Sequence, residues 1–340
     1  MLYLLIIFTI LFILCFVRIS GKEGWQMHEF SLAETQPIRG LLAISILLCH
    51  LCPHFKEDAP LLVELSQTIA VPIFFMMSGY GLAYSYYHKG ENYLKGFFRK
   101  RLLKLLLPLI IMAAIYQSWR VCYGTFETNS LLQNISPNSW FINALVVWYL
   151  GFYICFKAGN GNVLRNNIYI WLFTILYLAI TYYMGLEYYW MQILPMPLAI
   201  TYVPYEDKFR IFFRANLQTV LTITSILSIS FLMYAELGYI GYRMPAWCPL
   251  TLSVLPLSVF ILIYILGGGN SKFLRFVGNI SYEFYIVHGF IIILLADTNW
   301  FGMEGYVNAL LSMAFLFTLT LSSAWIMHAI CNKMDKILNV

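Results

Sequence analysis

The length, composition and charge of the chain exclude a soluble protein. Its 340 residues would suffice for about two soluble domains of roughly 150 residues each, but 61% of them are hydrophobic and only 11% are charged, against about 45–50% and about 25% in ordinary soluble domains. Intrinsic disorder, nucleic-acid binding and a secreted disulfide scaffold are excluded as well, because each needs more charge or denser cysteine. Apolar stretches of about 20 residues are typical of transmembrane helices rather than barrel strands. We therefore predict an all-α, polytopic transmembrane helical bundle.

Eleven apolar stretches bounded by charged or turn residues are candidate membrane spans. In chain order they are residues 2–18, 38–54, 64–86, 101–117, 139–157, 168–185, 188–204, 216–235, 247–267, 273–296 and 306–330. The seventh stretch contains Pro195, Pro197 and Pro204. Proline frees backbone carbonyls within a membrane helix, so this span is either straight or broken beside a cavity.

The distribution of Lys and Arg supports eleven spans, since cytoplasmic loops of membrane proteins collect basic residues. With the basic run at residues 89–104 placed inside, all of the 21 Lys and Arg residues except Lys56, Arg120 and Arg243 fall on the cytoplasmic side. This predicts an N-terminus outside and a C-terminus in the cytoplasm. No basic residue precedes the first stretch, so we interpret residues 2–18 as a retained helix rather than a signal peptide.

The second span contains Arg39 and His50, and a charge inside a span costs several kcal/mol unless it is paired or faces a cavity. Arg39 and His50 are eleven residues apart, which places them within about 20° of one helix face and about 16 Å apart along the axis. This spacing indicates a cavity wall, with Arg39 at the cytoplasmic entrance and His50 deeper. The alternative is a snorkelling arginine and a histidine that is hydrogen-bonded within the bundle.

Cysteines give no metal site. Cys49-His50-Leu51-Cys52 resembles a fragment of one, but no second Cys or His cluster completes four ligands, so we expect none. Cys122 and Cys248 both fall on the outer side, where they could pair.

The cytoplasmic end of the third span carries Ser78-Gly79, which permits close helix packing; a hydroxyl nucleophile is the functional alternative. A basic cluster that includes Arg99, Arg101 and Lys104 follows. It either anchors the topology or binds the phosphates of a cytosolic cofactor.

The tenth span carries a polar stripe. Ser281, Tyr285 and His288 recur at helical spacing, and Glu283 adds a charge inside the bilayer. Such a stripe indicates a lumen or a partner helix, and for His288 both a structural hydrogen bond and a catalytic role remain open.

Five of these elements occur in one order along the chain: Arg39-x10-His50, Phe-Phe-x-x-Ser-Gly at residues 74–79, the basic cluster before Pro108, Trp140-Phe141 at the start of a span, and Ser281-Tyr282-x-x-Tyr285-x-x-His288. Together, over about residues 38–330, they resemble the bacterial acyltransferase-3 family. The resemblance implies a ten-span core. We therefore expect an extra N-terminal helix and cytoplasmic loop at residues 1–37 and an acyltransferase-3-like membrane domain at residues 38–340.

The resemblance also implies an activity. Relatives move an acyl group, commonly acetyl, from cytosolic acyl-CoA to a hydroxyl of a cell-surface glycan or its lipid-linked precursor in the bacterial cytoplasmic membrane. Arg39 and His50 match the family's essential pair, and Arg101 with Lys104 match its basic motif. Lys104 stands where relatives commonly have a second arginine, so bidentate phosphate binding is lost at this position. Residues 191–199 depart from the Phe-Pro-x-Gly-like stretch of relatives.

These residues suggest a mechanism. The phosphates of acyl-CoA would bind Arg99, Arg101 and Lys104, and neutral His50 would take the acceptor proton or carry the acyl group itself, with His288 as the second candidate. The residues expected to support the site are Ser78, Trp140, Ser281, Tyr282, Glu283 and Tyr285. Expected partners are the glycan acceptor and membrane lipid, with no nucleic acid. A transporter or flippase of lipid-linked glycan, and a non-catalytic subunit, are the alternative functions.

Overall fold

The computed structural model describes residues 30–51, 66–125, 139–216, 269–297 and 306–337, together with residues 219, 223 and 257. All regular structure in these ranges is helical, which confirms the all-α class. Six of the described helices are long and apolar enough to cross a membrane, and a bent pair makes a seventh if it is one span. The chain is therefore a multi-pass membrane bundle. Apart from isolated residues, the predicted spans 2–18, 216–235 and 247–267 lie outside the described ranges.

Apart from a short helix at residues 206–215, the described helices follow the predicted spans with shifted ends. In chain order they are α1 (Leu32–Leu51), α2 (Ser66–Lys89), α3 (Leu103–Cys122), α4 (Trp140–Gly159), α5 (Val163–Tyr183), α6 (Glu187–Met191), α7 (Pro195–Tyr202), α8 (Glu206–Ala215), α9 (Lys272–Asn279), α10 (Ser281–Asp297) and α11 (Tyr306–Ile337). Two helices begin at capping side chains, since Asn162 and Ser271 accept the backbone N–H groups of Arg165 and Leu274 at 3.0 and 3.2 Å.

The seventh predicted span is broken rather than straight. Residues 188–204 fall into α6, α7 and the start of a 3₁₀ turn, Val203–Tyr205, and none of these is long enough to cross a membrane. Pro195 begins α7, because a proline ring fits the first turn of a helix and cannot continue a preceding one. Of the two alternatives for this stretch, the broken one is observed.

The tenth predicted span is also broken, which the sequence did not indicate. Residues 273–296 form α9 and α10, two helices bent by 75° around Ile280. The bend lets α9 lie directly against α1, where Gly40 and Gly278 bring the two backbones together. A Cβ atom on Gly40 would overlap the carbonyl oxygen of Leu274. A tertiary contact therefore sets the bend.

Around this crossing the bundle has an aromatic core. The helix α1 packs against α2, α9 and α10, and α10 packs in turn against α3 and α11. Fully buried aromatic rings fill the space between the helices, including those of Phe75, Trp148, Phe152, Phe156 and Phe284. The helices α5 and α11 expose apolar side chains along their outer faces, as helices in contact with lipid do.

Candidate functional site

An open cavity of about 280 Å³ lies between α1, α2, α3, α4 and α10. Seven of the predicted site residues line it: Arg39, Ser78, Arg101, Lys104, Ser281, Tyr282 and Tyr285. Most of the remaining wall is apolar and comes from Phe74, Met77, Leu82, Leu105, Phe141 and Leu145. Residues far apart in the sequence therefore line one cavity, which has a basic part and an apolar part.

Arg101 is held in place by two neighbours that sequence reasoning missed. It lies in a π-helical turn, Phe98–Leu102, directly before α3. Its Nε donates to the hydroxyl of Tyr93 at 2.8 Å, and its Nη2 donates to the hydroxyl of Ser85 at 3.2 Å. The guanidinium also lies 5.5 Å from the centre of the Tyr93 ring. These contacts fix the orientation of the guanidinium before a ligand arrives.

The other basic residues differ in their placement. Lys104 is 55% exposed and its Nζ lies 3.8 Å from a carboxylate oxygen of Asp335 on α11, so Lys104 can turn toward a ligand at small cost. Lys100, from the same basic cluster, lines the cavity, whereas the predicted donor-binding residue Arg99 does not. Arg39 lies deeper, close enough to Arg101 for their positive charges to repel. An anion between the two guanidinium groups would relieve that repulsion.

The two predicted catalytic histidines are in direct contact. Nδ1 of His50 lies 2.7 Å from Nε2 of His288, and the rings are nearly parallel with their centres 5.0 Å apart. His288 is 1% exposed. The backbone carbonyls of Phe284 and Tyr285 lie close to its ring, and its Nδ1 has no hydrogen-bond partner among the described residues. The spacing of Arg39 and His50 on α1 correctly predicted a cavity wall for Arg39, but His50 lies beyond the end of the cavity.

Aromatic rings separate the cavity from the histidine pair. Tyr285 lines the cavity, and its ring centre is 5.5 Å from that of His288. Phe141 also lines the cavity and touches Tyr285 with a centroid distance of 5.2 Å. The pair is therefore one ring away from the inner end of the cavity.

Two of the predicted supporting residues face away from the cavity. Trp140 packs on Phe141 and Tyr188, with ring centres 6.2 and 5.6 Å apart. Glu283 points to α11, where its Oε1 lies 2.8 Å from Nδ1 of His328. No periodic pattern marked His328, because its partner is 45 residues away.

The remaining supporting residues stabilise the helices that form the wall. Ser281 donates to the carbonyl of Gly278 at 2.9 Å, at the bend between α9 and α10. Tyr282 donates its hydroxyl hydrogen to the carbonyl of Leu105 on α3. Gly79, beside Ser78, lies against the backbone of Met196, which confirms close packing at the Ser-Gly step.

A second cavity of about 330 Å³ lies between α2, α7 and α8 and contains none of the predicted site residues. Its wall is apolar and includes Met76, Tyr202 and Phe209. Nearby, Tyr80 donates to both carboxylate oxygens of Glu206, at 3.1 and 2.8 Å.

Metal-ligating and cysteine side chains were also located in the described ranges. In those ranges no group of three or more His, Cys, Asp or Glu residues could hold a metal ion. Cys122 is an exposed thiol, and its suggested partner Cys248 lies outside the described residues.

Comparison with known proteins agrees with the geometry. A family model described as an acyltransferase domain, that of the acyltransferase-3 family, matches residues 38–329. Neither the curated proteins nor the solved structures give a significant match. The family match spans most of the chain and includes every predicted site residue. The chain therefore belongs to the acyltransferase-3 family and is a membrane acyltransferase.

Proposed function

We propose that the protein transfers an acetyl group from cytosolic acetyl-CoA to a hydroxyl of a cell-surface glycan or its lipid-linked precursor. The observation that carries the proposal is the basic cavity that ends one aromatic ring away from a histidine pair. The enzyme would act in the bacterial cytoplasmic membrane, with its N-terminus outside and its C-terminus inside. Residues 38–340 would form the acyltransferase domain, with residues 1–37 additional to it.

The cavity suits the two ends of an acyl-CoA. Arg101 and Lys104 offer charged donors to the phosphates, and the planar guanidinium of Arg101 can form two parallel bonds to one phosphate. Arg39 supplies a further positive charge inside. The apolar wall of Met77, Phe141 and their neighbours fits the less polar thioester end.

The contacts of the histidine pair favour one arrangement of protons. The carbonyls of Phe284 and Tyr285 favour a proton on Nδ1 of His288, so its Nε2 accepts from Nδ1–H of His50. The unprotonated nitrogen of His50 is then Nε2, which can act as the general base. We infer that His288 keeps His50 in this tautomer and stabilises the imidazolium that forms.

In the proposed transfer one bond forms, one bond breaks, and one proton moves through His50. The acceptor hydroxyl gives its proton to Nε2 of His50 while its oxygen bonds to the thioester carbon. The carbon–sulfur bond breaks, and the proton passes from His50 to the departing CoA sulfur. The products are the O-acyl ester and the free CoA thiol, and His50 is neutral again.

Thiol release from acetyl-CoA by purified protein in lipid, with cell-envelope glycan as acceptor, tests the proposal. We expect wild-type turnover to fall at least 100-fold in His50→Ala and in Arg39→Ala. The matched controls His88→Ala and Arg165→Ala change exposed residues outside the cavity and should keep wild-type turnover. Absence of thiol release from folded wild-type protein would contradict the proposal and favour transport of a lipid-linked glycan. Acetyl label retained on His50 after quenching would replace direct transfer by an acyl-enzyme.

A further inference from the structure

Three aromatic side chains close the inner end of the cavity. Phe74 from α2, Phe141 from α4 and Tyr285 from α10 all line it. Phe141 is central, with its ring centre 6.3 Å from that of Phe74 and 5.2 Å from that of Tyr285. We call these three residues the aromatic layer.

The aromatic layer is supported from behind. Phe75, which is fully buried, lies against Phe141 with ring centres 4.8 Å apart. Trp140 packs on Phe141 from another side at 6.2 Å. Because the rings come from three different helices and are backed by others, a shift of one ring requires the others to repack.

The spacing of the rings leaves little room for a chain to pass. Carbon atoms in contact are about 3.5–4.0 Å apart, so two rings with centres 5.2 Å apart already touch. The histidine pair lies on the far side, with His288 5.5 Å from Tyr285. Among the described residues this layer lies between the cavity and His50, so the bulk of a group that takes this path decides how far the rings must move.

We propose that the aromatic layer sets the acyl-chain specificity of the enzyme by admitting short acyl groups to the histidine pair and rejecting long ones. This inference rests on the proposed function, since it concerns the acyl group of the same donor. Phe74 and Phe141 are the specificity-determining residues, because neither can bond to the reacting atoms and both contribute only bulk.

The experiment compares kcat/KM for acetyl-CoA and octanoyl-CoA in wild type, Phe74→Ala and Phe141→Ala. We expect wild type to prefer acetyl-CoA at least 100-fold, and each variant to raise the octanoyl-to-acetyl ratio at least tenfold. Phe212→Ala, an exposed phenylalanine on α8 outside the cavity, is the matched control and should keep the wild-type ratio.

Phe74 is only half-buried, so its substitution keeps the test usable if the buried Phe141 variant does not fold. Phe74→Leu retains most of the bulk and should change the ratio less than Phe74→Ala does. Equal use of both donors by wild type, or an unchanged ratio in folded Phe74→Ala, would overturn the inference while leaving the acyltransferase proposal intact. If the wild-type protein turned over none of the acyl-CoA donors, that result would instead contradict the proposed function.

Discussion

At the scale of single residues, His288 should affect the chemical step rather than donor binding. It contacts His50 at 2.7 Å but does not line the cavity. We expect His288→Gln to lower kcat by about 10²–10⁴-fold, because the base His50 would lose the partner that holds its tautomer, with KM for acetyl-CoA within about threefold of wild type. Steady-state kinetics beside the exposed control His88→Gln would measure this. A raised KM with unchanged kcat would assign His288 to donor binding instead.

Tyr93 should have the opposite effect, since it orients a donor-binding group. Tyr93→Phe removes the hydroxyl that Arg101 bonds at 2.8 Å and keeps the ring beneath the guanidinium. A hydrogen bond to a charged group contributes about 1.5–3 kcal/mol, so we expect KM for acetyl-CoA to rise about tenfold with kcat unchanged. Tyr123→Phe, at an exposed position, is the control. An unchanged KM would show that Arg101 does not need this contact.

At the scale of secondary-structure elements, the crossing of α1 and α9 holds Arg39 and Ser281 at one cavity. Gly40→Ala would drive a methyl group into the backbone of Leu274, and such overpacking costs about 1–3 kcal/mol. We expect a melting temperature in detergent several degrees below wild type. Gly81→Ala adds the same methyl group where no atom lies within 4 Å, and it should not lower the melting temperature. Equal stability of both variants would contradict the importance of this crossing.

The same elements show what the sequence could predict. Hydropathy located the long helices, and three prolines indicated that residues 188–204 could break. The bend at Ile280 was not predictable, because Gly278 acts through a neighbour on α1 rather than through its own helix. Helical arithmetic placed Arg39 in the cavity wall, but only packing showed that the cavity ends before His50.

Contacts between helices explain why several partners of the predicted site residues were not predicted from the sequence. Ser85, Tyr93 and Asp335 each touch a predicted basic residue, and His328 touches Glu283. No spacing rule connects residues on different helices, so these partners carried no sequence signal. The motifs that resembled a family supplied the seven predicted residues that line the cavity, whereas the contacts made by Tyr93, Ser85 and Asp335 became visible only in the fold.

At the scale of the whole molecule, the positions of Lys and Arg predict which ends of the helices face the cytoplasm. Cys122, an exposed thiol at the end of α3, falls on the outer side in this topology. In a variant that retains Cys122 alone, we expect a membrane-impermeant maleimide to label intact cells. A variant that retains only the buried Cys155 should stay unlabelled. Labelling of Cys122 only after permeabilisation would invert the predicted orientation.

The most direct test of the account is a cryo-EM structure of the protein in lipid with a non-hydrolysable thioether analogue of acetyl-CoA. We expect phosphate density within hydrogen-bond distance of Arg101 and Lys104, and the acyl end against Phe141 and Tyr285. Analogue bound in the apolar cavity between α2, α7 and α8, with Arg101 still bonded only to Tyr93 and Ser85, would contradict it.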